Sequence, residues 1–151
     1  MRTIERDVVA ALIFSKDGKL FQAYRTNGNS VYSHKWHIPG GGVEEGEDHT
    51  TALVREMQEE LQLDISNCPI ELTDDQGGGE SEKVLRDTGE RVFAKMKYFV
   101  YKVQLDKNAD EVEITLDPYE FETYKWSDLS ELKEDEVTPP SATLFKRLGY
   151  M

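Results

Sequence analysis

Three glutamates in one short stretch, Glu56, Glu59 and Glu60, have the types and spacing to hold a cation. On a helix, positions i, i+3 and i+4 are neighbours, with side chains roughly 5–6 Å apart. Like charges placed this way cost a helix about 0.2–0.5 kcal/mol per pair, and a cation between them turns that cost into a binding site. Mg²⁺ takes hard oxygen ligands in near-octahedral geometry and keeps several waters, which suits a carboxylate cluster. Glu-x-x-Glu-Glu alone is equally the pattern of a solvated acidic face. The segment upstream, Gly40-Gly41-Gly42, adds to it: its backbone can come close to a ligand, and a free carbonyl there is a further hard oxygen. Arg55 has Glu59 as its i+4 partner and Glu47 within reach, so it reads as an orienting residue. Its plainest role is an ion pair worth about 0.3–0.5 kcal/mol.

These residues need a helix and a scaffold. Val54, Met57 and Leu61 recur at three- and four-residue intervals, which predicts a helix from about Asp48 to Leu61 with one stripe facing a core. Ahead of it, Val8–Phe14 and Leu20–Arg25 read as strands joined by a turn at Lys16-Asp17-Gly18-Lys19. Thr26–His34 reads as a loop, and Trp36-His37-Ile38 as a short strand stopped by Pro39 and the glycines. After the helix, Asp74–Glu82, with Gly77-Gly78-Gly79, reads as a loop and Asp87–Glu90 as a turn. Strands are expected over Arg91–Leu105 and Phe121–Trp126, and short helices over Ser127–Leu132 and Ser141–Leu148 after Pro139-Pro140. The order predicts an α+β domain spanning residues 1–151, with a mixed β-sheet between helices.

Composition narrows the setting. With 151 residues, 38% hydrophobic and 32% charged, the chain has the profile of one folded domain. No apolar run approaches the roughly 20 residues needed to cross a bilayer, so no membrane partner is expected. Cys68 is the one cysteine, which excludes an intrachain disulfide and a cysteine zinc cluster and fits a reducing, cytoplasmic setting. His34, His37 and His49 lack zinc spacing and read as loop or surface residues. A formal net charge of −12 argues against a nucleic-acid backbone as partner. It does not exclude a small anionic substrate, because a bound divalent cation inverts the local electrostatics.

The full spacing is Gly41, five residues, Glu47, seven residues, then Arg55-Glu56-Met57-Gln58-Glu59-Glu60-Leu61-Gln62-Leu63. It resembles the Nudix box, G-x5-E-x7-R-E-U-x-E-E-x-G-U with U a bulky aliphatic residue, and departs from it only at Gln62, where the family has glycine. Trp36-His37-Ile38-Pro39-Gly40-Gly41 looks like the family's lead-in. The resemblance implies a Nudix-like α/β/α sandwich and a Mg²⁺-dependent hydrolase, with Mn²⁺ as the alternative ion. The substrate would be a small nucleotide-like phosphoanhydride, a nucleoside di- or triphosphate derivative, acted on by a monomer or homodimer.

The resemblance also implies roles. Glu59 and Glu60 are the principal metal pair, helped by the Gly40 carbonyl. Glu56 is a general base or a further ligand, and Arg55 orients. Many members add a carboxylate about six residues before a tryptophan: Glu120 has that spacing from Trp126, with Glu122 the second choice, and Glu56 and Glu120 both stand as candidates for proton removal. Arg25, near the end of its strand, is either a basic phosphate contact or an ordinary strand arginine. Tyr24, Tyr98 and Tyr101 are available to stack on a base or to fill the core. Gln62 sits where glycine would end the helix in a left-handed turn; in that conformation Gln would cost on the order of 1 kcal/mol, unless the helix ends by another geometry. Two rival functions are a ligand-sensing module without turnover, which intact Glu56, Glu59 and Glu60 oppose, and an isopentenyl-diphosphate isomerase, for which Cys68 lies in the wrong segment. Substrate choice is expected in the Thr26–His34 and Asp74–Glu90 loops.

Overall fold

A computed structural model describes residues 1–25, 32–85 and 87–151. The expected Thr26–His34 loop therefore lies outside the described residues up to Val31. The elements in chain order are β1 (Arg2–Phe14), β2 (Leu20–Arg25), β3 (Lys35–His37), β4 (Gly40–Gly42), α1 (His49–Leu61), β5 (Ile70–Val84), β6 (Arg91–Gln104), β7 (Thr123–Ser127) and α2 (Pro139–Arg147).

β1 is the organising strand. Its apolar run from Val8 to Phe14 is buried enough to sit mid-sheet, and it pairs in parallel with β6 along its whole length, from Arg2↔Val92 to Phe14↔Gln104. β5 runs antiparallel on the far side of β6. On its other edge β1 meets β2 only at the hairpin, Phe14↔Leu20. β2 then diverges to pair with β3 and β7, and β4 takes the place beside Val8–Ala10. The result is one curled, mixed sheet.

Side-chain alternation along β1 gives each face its own core. Val9, Ala11 and Ile13, with Phe21 and Ala23 of β2, meet Ala52, Leu53, Met57 and Leu61 of α1. Leu12, Phe14, Leu20 and Val100 face the opposite way, onto Ala142, Leu144 and Phe145 of α2. The helices thus cover opposite faces, as the expected α/β/α sandwich requires. Among the described residues no helix is long and apolar enough to cross a membrane.

Local expectations change in four places. Asp74–Glu82 is not a loop: it belongs to β5, and Gly77, Gly78 and Gly79 pair with Tyr98, Lys97 and Met96. Two irregularities flanking Asp74 re-aim the strand, and period-two reading cannot follow such a bulge. β3 ends before Pro39 as expected, but Gly40–Gly42 forms a strand of its own, because β1 supplies the ladder that glycines do not promote themselves. The helix expected over Ser127–Leu132 reduces to one 3₁₀ turn at Leu129–Glu131, and α2 begins at Pro139 rather than Ser141. Thr138 caps α2 by accepting from the Ser141 N–H, so prolines fill the first-turn positions that lack a hydrogen-bond role.

Candidate active site

The site begins with how α1 is held. Asp48 caps the helix by accepting from the Thr51 N–H at 2.7 Å. His49, the first helical residue, contacts Asp7 Oδ2 through Nε2 at 2.9 Å and the Tyr101 hydroxyl through Nδ1 at 3.0 Å. It also packs on Phe99, 4.3 Å between ring centroids. His49 is therefore an anchor between helix and sheet, not a surface histidine. No sequence signal marks this, since its partners lie 42 and 52 positions away. At the other end Gln62 is left-handed, φ 50° and ψ 39°, the conformation a glycine would adopt with less strain. Its N–H bonds Gln58 O, and the Leu63 N–H reaches Met57 O.

β4 forms the wall opposite. The Ala11 N–H bonds Pro39 O and the Val43 N–H bonds Asp7 O, so the odd-numbered residues of this segment face β1. By alternation Gly40 and Gly42 turn their N–H and C=O groups outward, toward α1. Gly42 O indeed accepts from Arg55 NH2 at 3.1 Å, and the Gly40 N–H reaches the Glu60 carboxyl. A Cβ on Gly41 would lie 2.4 Å from the Glu56 carboxyl, so any other residue here would displace that carboxyl from its place.

Arg55 is the hub. Its Nε and NH2 grip both Glu47 oxygens at 2.8 and 2.9 Å, and NH1 donates to Glu56 at 3.0 Å and more loosely to Glu59 at 3.3 Å. Hydrogen bonds from Arg55 and from the Glu44 N–H hold the Glu47 carboxyl down to about 2. Glu59 is mostly exposed, while Glu56 is half-buried and its pKa is raised by burial against the pull of Arg55.

Glu60 is different in kind. It is 5% exposed, and its Oε2 is buried with no hydrogen-bond partner. Burial first, then repulsion from Glu56 and Glu120, pushes its pKa up to about 9. An unsatisfied buried carboxylate oxygen costs roughly 1–3 kcal/mol, more if charged, so it marks a place built for a ligand. Glu120 lies in the turn before β7, close enough for its charge to act on Glu60, and is paired with Arg25 at 2.8 Å. Asp117, earlier in the same segment, is tied to the end of α1 through its N–H to Glu60 O.

The structure thus brings Gly40, Glu56, Glu60 and Glu120 to one place, with Arg55 and Glu59 on its rim. Among the described residues no three His, Cys, Asp or Glu side chains form a ready-made metal cluster, and arginines pair with Glu56, Glu59 and Glu120. The donor set is all hard oxygen, and the orphan Oε2 of Glu60 lacks only a positive partner; a divalent cation fits both. Glu122, the second choice, gives its N–H to Tyr24 O. Cys68 packs against the α1-side core. Tyr24 tilts against Trp36 at 5.0 Å and Tyr101 serves His49, so both have structural partners. His37 is half-buried, its Nε2 3.0 Å from Tyr32 O, and burial lowers its pKa; it is not a surface residue either. Sequence reasoning missed Phe121, a buried ring beneath Arg25, for want of any local pattern.

Comparison with known proteins bears on the family and the fold. The NUDIX domain profile matches residues 4–148. An RNA pyrophosphohydrolase of Pelagibacter ubique is 30% identical over 135 residues, 85% of this chain and 80% of the relative. Nudix hydrolase 25 of Arabidopsis thaliana is 32% identical over 140 residues, 87% of this chain and 77% of the relative. An 8-oxo-dGTP diphosphatase of Proteus vulgaris is 35% identical over 66 residues, 42% of this chain and 55% of that protein. Among solved structures, a MutT protein from Methanosarcina mazei Go1 superposes with TM-score 0.69 at 21% identity, covering 99% of this chain and 96% of that one.

Proposed function

The chain belongs to the Nudix family and is a Nudix hydrolase, and from that premise we propose that it uses a divalent cation, Mg²⁺ or Mn²⁺, to hydrolyse a phosphoanhydride bond in a nucleoside di- or triphosphate derivative. The observation that carries this reading is Glu60: a nearly buried carboxylate with an unpartnered oxygen, beside Glu56, Glu120 and the outward-facing Gly40 backbone. Gly40, Glu56, Glu59, Glu60 and Glu120 would hold the ion. When bound, it supplies positive charge against the phosphates and makes water more acidic.

The chain's own residues do the rest. Arg55 fixes Glu56 and Glu59 relative to β4 through its bonds to Glu47 and Gly42 O. Glu56, half-buried beside the ion's place and held by Arg55 at 3.0 Å, is one candidate to accept the proton from attacking water. Glu120 is the other candidate for that step. The water oxygen bonds to phosphorus, the bridging oxygen leaves with the displaced phosphate, and the carboxylate takes the proton. Cys68, packed at the core, offers nothing to an isomerase, and the intact carboxylates favour turnover over sensing.

Relatives named for RNA and for 8-oxo-dGTP put two substrate types in the assay: RNA 5′-triphosphate ends and free nucleoside triphosphates. The net charge of −12 favours the small molecule, since it works against general attraction of a long polyanion. The lone Cys68 suits a reducing, cytoplasmic setting. Purified protein with Mg²⁺ or Mn²⁺ is screened against both types, measuring released phosphate or pyrophosphate. Release from a nucleotide, abolished by chelator, is expected. Failure with every phosphoanhydride at any divalent concentration would sink the reading.

A further inference from the structure

We propose that Arg25 is a positioning residue for Glu120, a clamp that presents this loop carboxylate to the site, and not a ligand of the substrate's phosphates. The inference rests on the metal-dependent reading above and deepens it. Arg25 spends one edge of its guanidinium on a single residue: Nε donates to the Glu120 backbone oxygen at 3.0 Å and NH2 to Glu120 Oε2 at 2.8 Å. One bond fixes the loop backbone and the other fixes the side chain on it. The flat face of the guanidinium lies 5.1 Å from the Phe121 ring, which is 4% exposed. His37 packs on the same ring at 6.3 Å. The cation is therefore fixed by Glu120 itself and by the ring of the next residue, Phe121.

Gripping a phosphate with two parallel hydrogen bonds takes one guanidinium edge, and Arg25 has already given its Nε–NH2 edge to Glu120, which leaves only the NH1 side to a substrate. The distribution of charge points the same way. Arg55 holds Glu47, Glu56 and Glu59, and Arg25 holds Glu120, which leaves Glu60 between them with no ion pair among the described residues, although the Arg25 charge acts on it. Arg25 thereby sets the direction in which the Glu120 carboxylate arrives.

The test uses the whole chain and two readouts: Mn²⁺ affinity without substrate, by electron paramagnetic resonance or calorimetry, and steady-state kinetics. Arg25→Gln leaves Glu120 without its clamp and should weaken Mn²⁺ binding on the order of 10-fold, as loss of a residue that orients a metal ligand does. Its kcat should fall on the order of 10- to 100-fold, as misplaced groups do, with KM changed less than about twofold. Arg25→Lys keeps the charge and loses the fork, so Mn²⁺ affinity and kcat should both fall. In a Glu120→Gln background, Arg25→Gln should cost little more kcat, because the two residues act as one unit. Unchanged or tighter Mn²⁺ binding in Arg25→Gln, a rise in KM alone, or losses that multiply in the double variant would overturn the proposal and leave the metal-dependent reading standing. A wild-type chain that neither binds Mn²⁺ nor turns over would remove that reading and the proposal with it.

Discussion

Arg55 and Glu47 meet through two parallel hydrogen bonds, 2.8 Å from Nε and 2.9 Å from NH2, and this fork ties the loop after β4 to the helix that carries the site. Glu47 is eight residues before Arg55, so the pair is not a helical neighbour contact but a brace across the turn that starts α1.

That brace makes the protein acid-sensitive. Arg55 holds the folded-state pKa of Glu47 down to about 2, against an ordinary 4.5. Its stabilisation is complete above pH 4.5 and is lost as pH falls toward 2. Glu47→Gln should flatten the acid limb of a melting-temperature profile. An unchanged limb would mean other carboxylates govern acid unfolding.

Glu60 has the opposite sign. Its folded pKa is about 9, so between pH 4.5 and 9 the metal-free folded chain keeps a proton that the unfolded chain has released. The unfolded state then binds fewer protons, and stability falls as pH rises. Glu60→Gln should remove this slope, melt several degrees higher than metal-free wild type at pH 8, and lose turnover. A variant less stable than wild type at pH 8 would show that Glu60 is already compensated.

Gly41→Ala should separate packing from folding. The added methyl meets the Glu56 carboxyl, whose placement depends on that gap. We expect kcat to fall about 100-fold, as for other misplacements of catalytic groups, with a circular dichroism spectrum like wild type. Near-normal kcat would show that Glu56 swings aside without consequence.

Gln62→Gly should stabilise the protein. The left-handed backbone at φ 50° strains any residue with a Cβ. Relief is worth about 1 kcal/mol, or roughly 2–4 °C for a chain of this size. A lower melting temperature would show that the Gln62 side chain has contacts that outweigh the strain.

His49→Ala breaks both contacts of the first helical residue, to Asp7 and to Tyr101. Both partners are partly exposed, so we expect a loss of about 1 kcal/mol, with kcat lowered more than KM is raised. A variant that melts like wild type would remove His49 as an anchor of α1.

How far the sequence reaches depends on the range of each interaction. The helix, its Asp48 cap and the spacing of Gly41, Glu47 and Glu56 are legible because they are local. Arg55 reads correctly as an orienting residue because its partners lie within eight positions. Glu120 was reachable through its distance from Trp126, yet its tie to Arg25 spans 95 positions and leaves no pattern. Gly77–Gly79 misled for a different reason. Glycine has poor intrinsic strand preference, and β6 overrides it with a full ladder of partners. His37 and His49 were misplaced because burial depends on what folds over a residue, and those neighbours come from other strands.

The parallel pairing of β1 with β6 joins residues always 90 positions apart, from Arg2 with Val92 to Phe14 with Gln104. Closing so long a loop before any bond forms is slow compared with local folding. During synthesis, the segment from Gly40 to Leu61 therefore emerges well before the strand that completes its platform, and Glu120 arrives later still. A half-made chain has its acidic helix but neither the opposing turn nor the second arginine-held carboxylate. The hydrolytic centre is thus one of the last things the growing chain completes, and a ribosome-bound fragment should be inert.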